Sequence, residues 1–181
     1  MSRPPRAREL VLDAFEALLI DEGERAATME ATARAAGVSK GGLLYHFGSK
    51  DALEAGLIER LDALAQDDIE RMSVAPDGPV AYFVRTSVMS DDPLDRALIA
   101  ASRLAQGGHA AAGAALRAIR GRWADALRPH TADDTALDLV MLVSDGLYYN
   151  NALETGGLTG PIPTGPAMDA LIALVERSTK D

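Results

Sequence analysis

The sequence predicts an all-α protein of about nine helices. Three observations carry that reading. Ala, Leu, Arg, Glu and Met dominate, aromatic residues make up only 4% of the 181, and no β-branched run alternates with polar residues. Hydrophobic residues at 48% and charged residues at 25% are globular composition, with enough chain to bury a core.

The elements follow in order. Leu10, Val11, Ala14, Phe15 and Leu18 recur at helical spacing, which predicts a first helix opening after Pro4-Pro5 and closing near Glu22-Gly23. Thr28 is a good N-cap for a second helix that stops at Gly37. Ser39 caps a short third helix ending near Gly48. Ser49 caps a long fourth one through about Met72, with Leu53, Leu57, Leu61 and Leu64 along one side. The segment 73–79 (Ser-Val-Ala-Pro-Asp-Gly-Pro) breaks the pattern. Further helices fit 80–90, 93–106, 110–128, 133–154 and 166–178. Their boundaries are Asp92-Pro93, Gly107-Gly108, Pro129 and the Gly/Pro-rich loop 156–166.

Charge is unevenly distributed. Net charge is −9, yet residues 1–50 carry seven basic and seven acidic side chains and sum to zero. The stretch 31–50 contains Arg34, Lys40 and Lys50 and no acid. Local patches, not the total, decide whether a polyanion binds, and an acidic remainder keeps the rest of the molecule away from it.

Several function classes are excluded or disfavoured. The absence of cysteine removes disulfides, thiol catalysis and thiolate metal sites. No apolar run approaches the ~20 residues of a membrane span, and MSRPPRAREL lacks an apolar signal-peptide core. The expectation is a cytoplasmic protein with no membrane partner. Catalysis has no visible address. His46, His109 and His130 form no two-histidine motif, and the latter two read as solvated loop residues. Asp67-Asp68, Asp91-Asp92 and Asp133-Asp134 are neighbours pointing about 100° apart on a helix, and two of these pairs fall at helix starts. Neither a phosphate loop nor a nucleophile elbow is present. The reading is no enzyme, no metal and no cofactor.

The informative segment is Thr28–Lys50, TMEATARAAGVSKGGLLYHFGSK. Two short helices around Gly37-Val38-Ser39 match a helix-turn-helix, with Gly37 free to turn left-handed. Ala36, Val38, Leu43 and Phe47 are expected to face inward. Lys40, Gly41, Leu44 and Tyr45 then stand on the outer side, with His46 near the edge. Such a helix can enter the major groove. Gly41 and Gly42 each cost roughly 1 kcal/mol in a helix, which suggests a gain elsewhere, such as close backbone approach to DNA. Thr28 and Ser49 place hydroxyls and N–H groups at helix starts where phosphates bind, and Lys50 adds charge there.

Thr28, Ala36-Gly37-Val38-Ser39, Leu43, His46-Phe47, Ser49-Lys50 and Leu53 resemble, in order and spacing, the DNA-binding domain of the tetracycline-repressor (TetR-like) family of bacterial transcriptional regulators. The resemblance covers about residues 8–57. Leu44 stands where the family usually has Tyr. Thr32 replaces a common Ile, which predicts either a weaker core or a buried hydroxyl bonded to the preceding turn.

The resemblance implies a DNA-binding domain, residues 1–52, and a helical ligand-binding and dimerisation domain, residues 53–181. It implies DNA contacts from Thr28, Ser39, Lys40, Gly41, Gly42, Tyr45, His46 and Lys50. Arg3, Arg6 and Arg8 read either as an arm on phosphates or as a solvated tail. Helix 133–154 is apolar nearly all round and so needs cover on several faces. With 166–178 it suits the family's four-helix dimer interface, and a homodimer fits double-stranded DNA carrying a palindromic operator with half-sites roughly 34 Å apart. The resemblance further implies a pocket for a small-molecule effector, with Phe83, Met89, Leu104, Trp123, Met141, Tyr148 and Asn151 as candidate lining. The adjacent Asn150 and Asn151 are amides that need partners when buried. The function implied is a ligand-responsive repressor. The alternative is a helical small-molecule-binding or interaction protein whose helix-turn-helix has left DNA behind.

Overall fold

A computed structural model describes residues 4–90, 92–154 and 160–180. Among the described residues there are nine α-helices and no strand: α1 (Pro4–Asp21), α2 (Met29–Ala35), α3 (Lys40–His46), α4 (Lys50–Ser73), α5 (Pro79–Thr86), α6 (Pro93–Gln106), α7 (Ala110–Leu127), α8 (Asp134–Glu154) and α9 (Pro166–Lys180). A 3-10 turn, Arg128–His130, follows α7. The helices expected from periodicity all form. Contacts divide the chain into two units, Met1–Ala65 with Asp91–Ile119 and Gln66–Ser90 with Arg120–Asp181.

In the first unit α1 is the hub, packing on α2, α3 and α6. Because neighbours cover more than one side of it, its buried set is Val11, Leu12, Ala14, Phe15, Glu16 and Leu19. The expected stripe needs correction here. Leu10 is 45% exposed and Leu18 half-buried, whereas Leu12 and Leu19 are fully enclosed. Leu43 and Phe47 of the α3 segment, Leu53, Leu57 and Leu61 of α4, and Ala97, Ala100, Ala101 and Leu104 of α6 complete this core.

Close packing and ion pairs fix the start of α4 in the first unit. Gly56 brings the helix backbone against the buried Phe47 ring, so close that a Cβ there would lie 2.6 Å from the ring edge. Arg8 caps the same ring, 5.3 Å from its centroid, and its guanidinium also pairs with Glu9 and Glu59, each at 3.3 Å. It belongs to the α1 packing surface, while Arg3 and the Arg6 side chain lie outside the described residues. Arg60 of α4 reaches three α1 carboxylates, Asp13 at 2.6 Å, Glu16 at 3.1 Å and Glu9 at 3.4 Å. Glu16 is buried, and burial pushes its carboxyl up to about 6. Arg60 offsets part of that shift, and the nearby Asp13 charge adds to it.

In the second unit α5 packs on α8 and α9, and α8 packs on α9. Met72, Val80, Phe83, Val84, Leu127, Val140, Met141, Leu147, Met168, Ile172 and Val175 form its core. α5 ends at Thr86, short of the expected residue 90. Thr86 donates to the Tyr82 carbonyl at 3.0 Å, and Ser87 donates to the Phe83 carbonyl at 2.7 Å. The Ser87 hydroxyl also meets the Ser144 hydroxyl at 2.7 Å. These hydroxyls bond to the preceding turn, and Ser87 becomes the C-cap. Asp92 and Asp133 act as N-caps, as their position before helices predicts; Asp92 accepts from Leu94 N–H at 2.8 Å, and Asp133 from Ala136 N–H at 2.8 Å. Asp91 lies outside the described residues.

Candidate nucleic-acid interface

The helix-turn-helix is built from local caps. Thr28 has extended backbone and accepts from the Ala31 N–H at 3.2 Å. Ser39 does the same for the Gly42 N–H at 3.0 Å. Between them Gly37 takes φ 66°, a value that favours glycine. Thr32 is fully buried and its hydroxyl donates to the Thr28 carbonyl at 2.9 Å. The departure from a packing Ile is therefore resolved as a satisfied hydroxyl on the preceding turn.

α3 is held from behind by buried Leu43 and Phe47, while Ala36 and Val38 are half-buried. Its outer side carries Lys40, Gly41, Leu44 and Tyr45, all exposed. Tyr45 is 80% exposed, and its ring meets the half-buried His46 edge-on at 5.1 Å. Nothing lies within 4 Å of the place where a Gly41 Cβ would stand, so this part of the helix surface is open. At Gly42 a Cβ would come within 3.2 Å of the Ser39 hydroxyl that caps the helix. Lys40 pairs with Glu30 of α2 at 2.6 Å, and the lysine holds the Glu30 carboxyl below its usual range.

Lys50, at the start of α4, sits in a small cage of acids. Its ammonium lies 3.5 Å from Glu54 and 3.8 Å from Glu24. The Glu54 carboxylate is buried and is met from its other side by the His109 Nε2 at 3.4 Å. His109 Nδ1 accepts from the Ala112 N–H at 3.1 Å. That bond assigns the ring proton to Nε2, facing the carboxylate. Behind Glu24 stands Gly107, where any Cβ would collide with the Glu24 carboxylate. The expectation that His109 is a solvated loop residue is corrected: it is half-buried, caps α7 and pairs with Glu54. Sequence reasoning missed Glu24, Glu54 and His109. Glu54 alone carried a signal, its i+4 spacing from Lys50; the others meet Lys50 only through tertiary packing.

The seven residues put forward for an effector are not all brought together. Phe83, Trp123 and Met141 share the second unit's hydrophobic cluster, with the Phe83 and Trp123 rings tilted at 5.9 Å. Trp123 N–H and Tyr82 O–H each donate to the buried Asp68 carboxylate at 3.0 Å. Tyr148 is half-buried on α8. Met89 falls in the connection after α5, and Leu104 belongs to the first unit, on α6. The Asn151 amide donates to the Leu147 carbonyl at 2.7 Å and that of Asn150 to the Pro161 carbonyl at 3.0 Å, so both amides have partners within the chain. A cleft of about 600 Å³ in the second unit lies instead between Pro76–Val80, Pro129–Ala132 and the end of α9, and none of the seven lines it.

α8 and α9 each leave apolar side chains exposed. Leu139, Leu142 and Tyr149 on one side of α8 are 36%, 66% and 64% exposed, and Leu174 of α9 is 53% exposed. No group of three or more metal-ligating side chains converges among the described residues, and no described helix is long and apolar enough to cross a membrane.

Residues 11–55 match the family of bacterial regulatory proteins, tetR family. Among solved structures, the chain is similar to the proposed transcriptional regulator SCO7518 from Streptomyces coelicolor A3(2). That match has 21% identity and a TM-score of 0.66, over 98% of this chain and all of that one. It is also similar to a proposed TetR-family regulator from Rhodococcus sp., with 17% identity and a TM-score of 0.63 over 96% and 98% of the two chains. The multidrug binding protein EbrR, complexed with imidazole, is similar at 19% identity and a TM-score of 0.58, over 98% and 97%. The comparison with curated proteins finds no match.

Proposed function

We propose, from the premise that this chain is a TetR-like transcriptional regulator, that it binds a palindromic operator as a homodimer, acts as a repressor and is released by a small-molecule effector. The observation that carries this is α3: pinned by Leu43 and Phe47, capped by Ser39 and open along Lys40, Gly41, Leu44 and Tyr45. Thr28, Ser39, Lys40, Gly41, Gly42, Tyr45, His46 and Lys50 are the proposed DNA contacts, with Thr28 and Lys50 on phosphates. Residues 1–52 form the proposed DNA-binding domain and 53–181 the ligand-binding and dimerisation domain. A DNA partner places the protein in the cytoplasm.

The dimer is proposed through α8 and α9, whose exposed Leu139, Leu142, Tyr149 and Leu174 supply the apolar surface that a symmetric interface covers. The effector is proposed to bind among Phe83, Trp123, Met141 and Tyr148 in the second unit. That the similar EbrR is a multidrug binding protein complexed with imidazole supports a small-molecule effector. An effector shifts DNA affinity only by binding the two conformations unequally.

Selection of bound duplexes from a random-sequence pool, at near-physiological salt, tests the proposal. Enrichment of a palindrome is the expected result. A second reading, a binding module that no longer uses DNA, is favoured by one observation: both candidate lysines are engaged by the chain's own acids. Recovery of no motif by folded, dimeric protein would select that reading.

A further inference from the structure

We propose that Leu44 reads a thymine methyl group in each operator half-site. This rests on the proposed DNA-binding function and specifies what the helix recognises. α3 offers few side chains to a groove. Its sequence is KGGLLYH, so the outward side presents one ammonium, one phenol, one imidazole and an isobutyl group. There is no Asn or Gln for the paired donor and acceptor of adenine, and no Asp or Glu for the amino group of cytosine. Guanine is left to Lys40. Thymine is the base whose groove edge carries an apolar group, and an apolar side chain is what that methyl group selects.

The placement of Leu44 agrees with this. It is 41% exposed although its neighbour Leu43 is fully buried, so the isobutyl group is turned away from the core. Gly41, one helical turn earlier on the same side, has open space where a side chain would begin. The helix backbone can therefore come close to the bases, and a side chain as short as leucine reaches the groove floor. Against a polar base edge, Leu44 would strip water without replacing its hydrogen bonds. Against a methyl group it removes apolar surface from water on both partners.

The test uses the full-length protein and the operator obtained by selection. Each thymine of the half-site is replaced in turn by deoxyuridine, which lacks only the methyl group, and affinity is measured by fluorescence anisotropy at constant salt. One thymine position is expected to lose about fourfold in affinity per half-site, the effect of one buried methyl group. In Leu44→Ala that loss should vanish, and in Leu44→Met it should persist. Circular dichroism and sedimentation establish that both variants fold and dimerise. The proposal is overturned if every thymine tolerates deoxyuridine, or if Leu44→Ala keeps the same loss at the same position. Absence of binding to any duplex would remove the DNA-binding reading itself, and this proposal with it.

Discussion

Glu16 holds its proton to about pH 6 in the folded chain, against 4.5 for an ordinary glutamate. The folded state therefore binds more protons than the unfolded state between those values. Its stability falls as pH rises through that window, by about 2 kcal/mol from this group. Denaturant titrations across pH should show that the difference between wild type and Glu16→Gln changes between pH 4.5 and 6 and is flat on either side. At the proposed interface, Lys50→Gln keeps a donor for the buried Glu54 but removes the charge. It should weaken binding to all duplexes alike, roughly tenfold, the worth of one charged hydrogen bond; affinities for the selected operator and a scrambled duplex check this. At this scale the sequence was readable where a residue departed from a local pattern, as Thr32 did. It was silent where a residue's partner comes from another element: nothing near Gly107-Gly108 marks His109 as the companion of Glu54.

Helix ends and close approaches follow more local rules. Ser39→Ala removes the oxygen that accepts from Gly42 N–H and should cost about 1 kcal/mol, seen as a lower denaturation midpoint. Gly56→Ala sets a Cβ against the Phe47 ring. The ring is enclosed and cannot swing away, so overpacking of about 1–3 kcal/mol is expected, measured the same way. Helix starts were legible because Thr28, Ser39, Asp92 and Asp133 announce them through one side-chain oxygen each. The end of α5 was not. Thr86 and Ser87 read as tolerable helix residues until their hydroxyls turn back onto Tyr82 and Phe83. Likewise α1 showed its period but not its number of neighbours, so Leu10 was counted inward and Leu12 overlooked.

For the whole molecule, apolar surface on α8 and α9 makes association the expected state. Leu142→Glu places a charge at a leucine of α8 that is 66% exposed and should convert a dimer to monomers in sedimentation equilibrium. The wild-type melting temperature should rise with protein concentration, because dimerisation binds only the folded chain, and that dependence should disappear in Leu142→Glu. The all-α class and the nine helices of the described residues were legible from composition and period. Which candidate effector residues share one cluster was not, since Leu104 and Phe83 are alike in chemistry and part company only in the fold. The acid cage around Lys50 has a consequence for ions. Were a DNA phosphate to take the ammonium over from Glu24, that carboxylate would return to solvent and recruit a cation from the buffer. Association would then take up ions at the protein while it sheds them from the duplex, and affinity should decline with added salt more gently than the number of phosphate contacts alone would require.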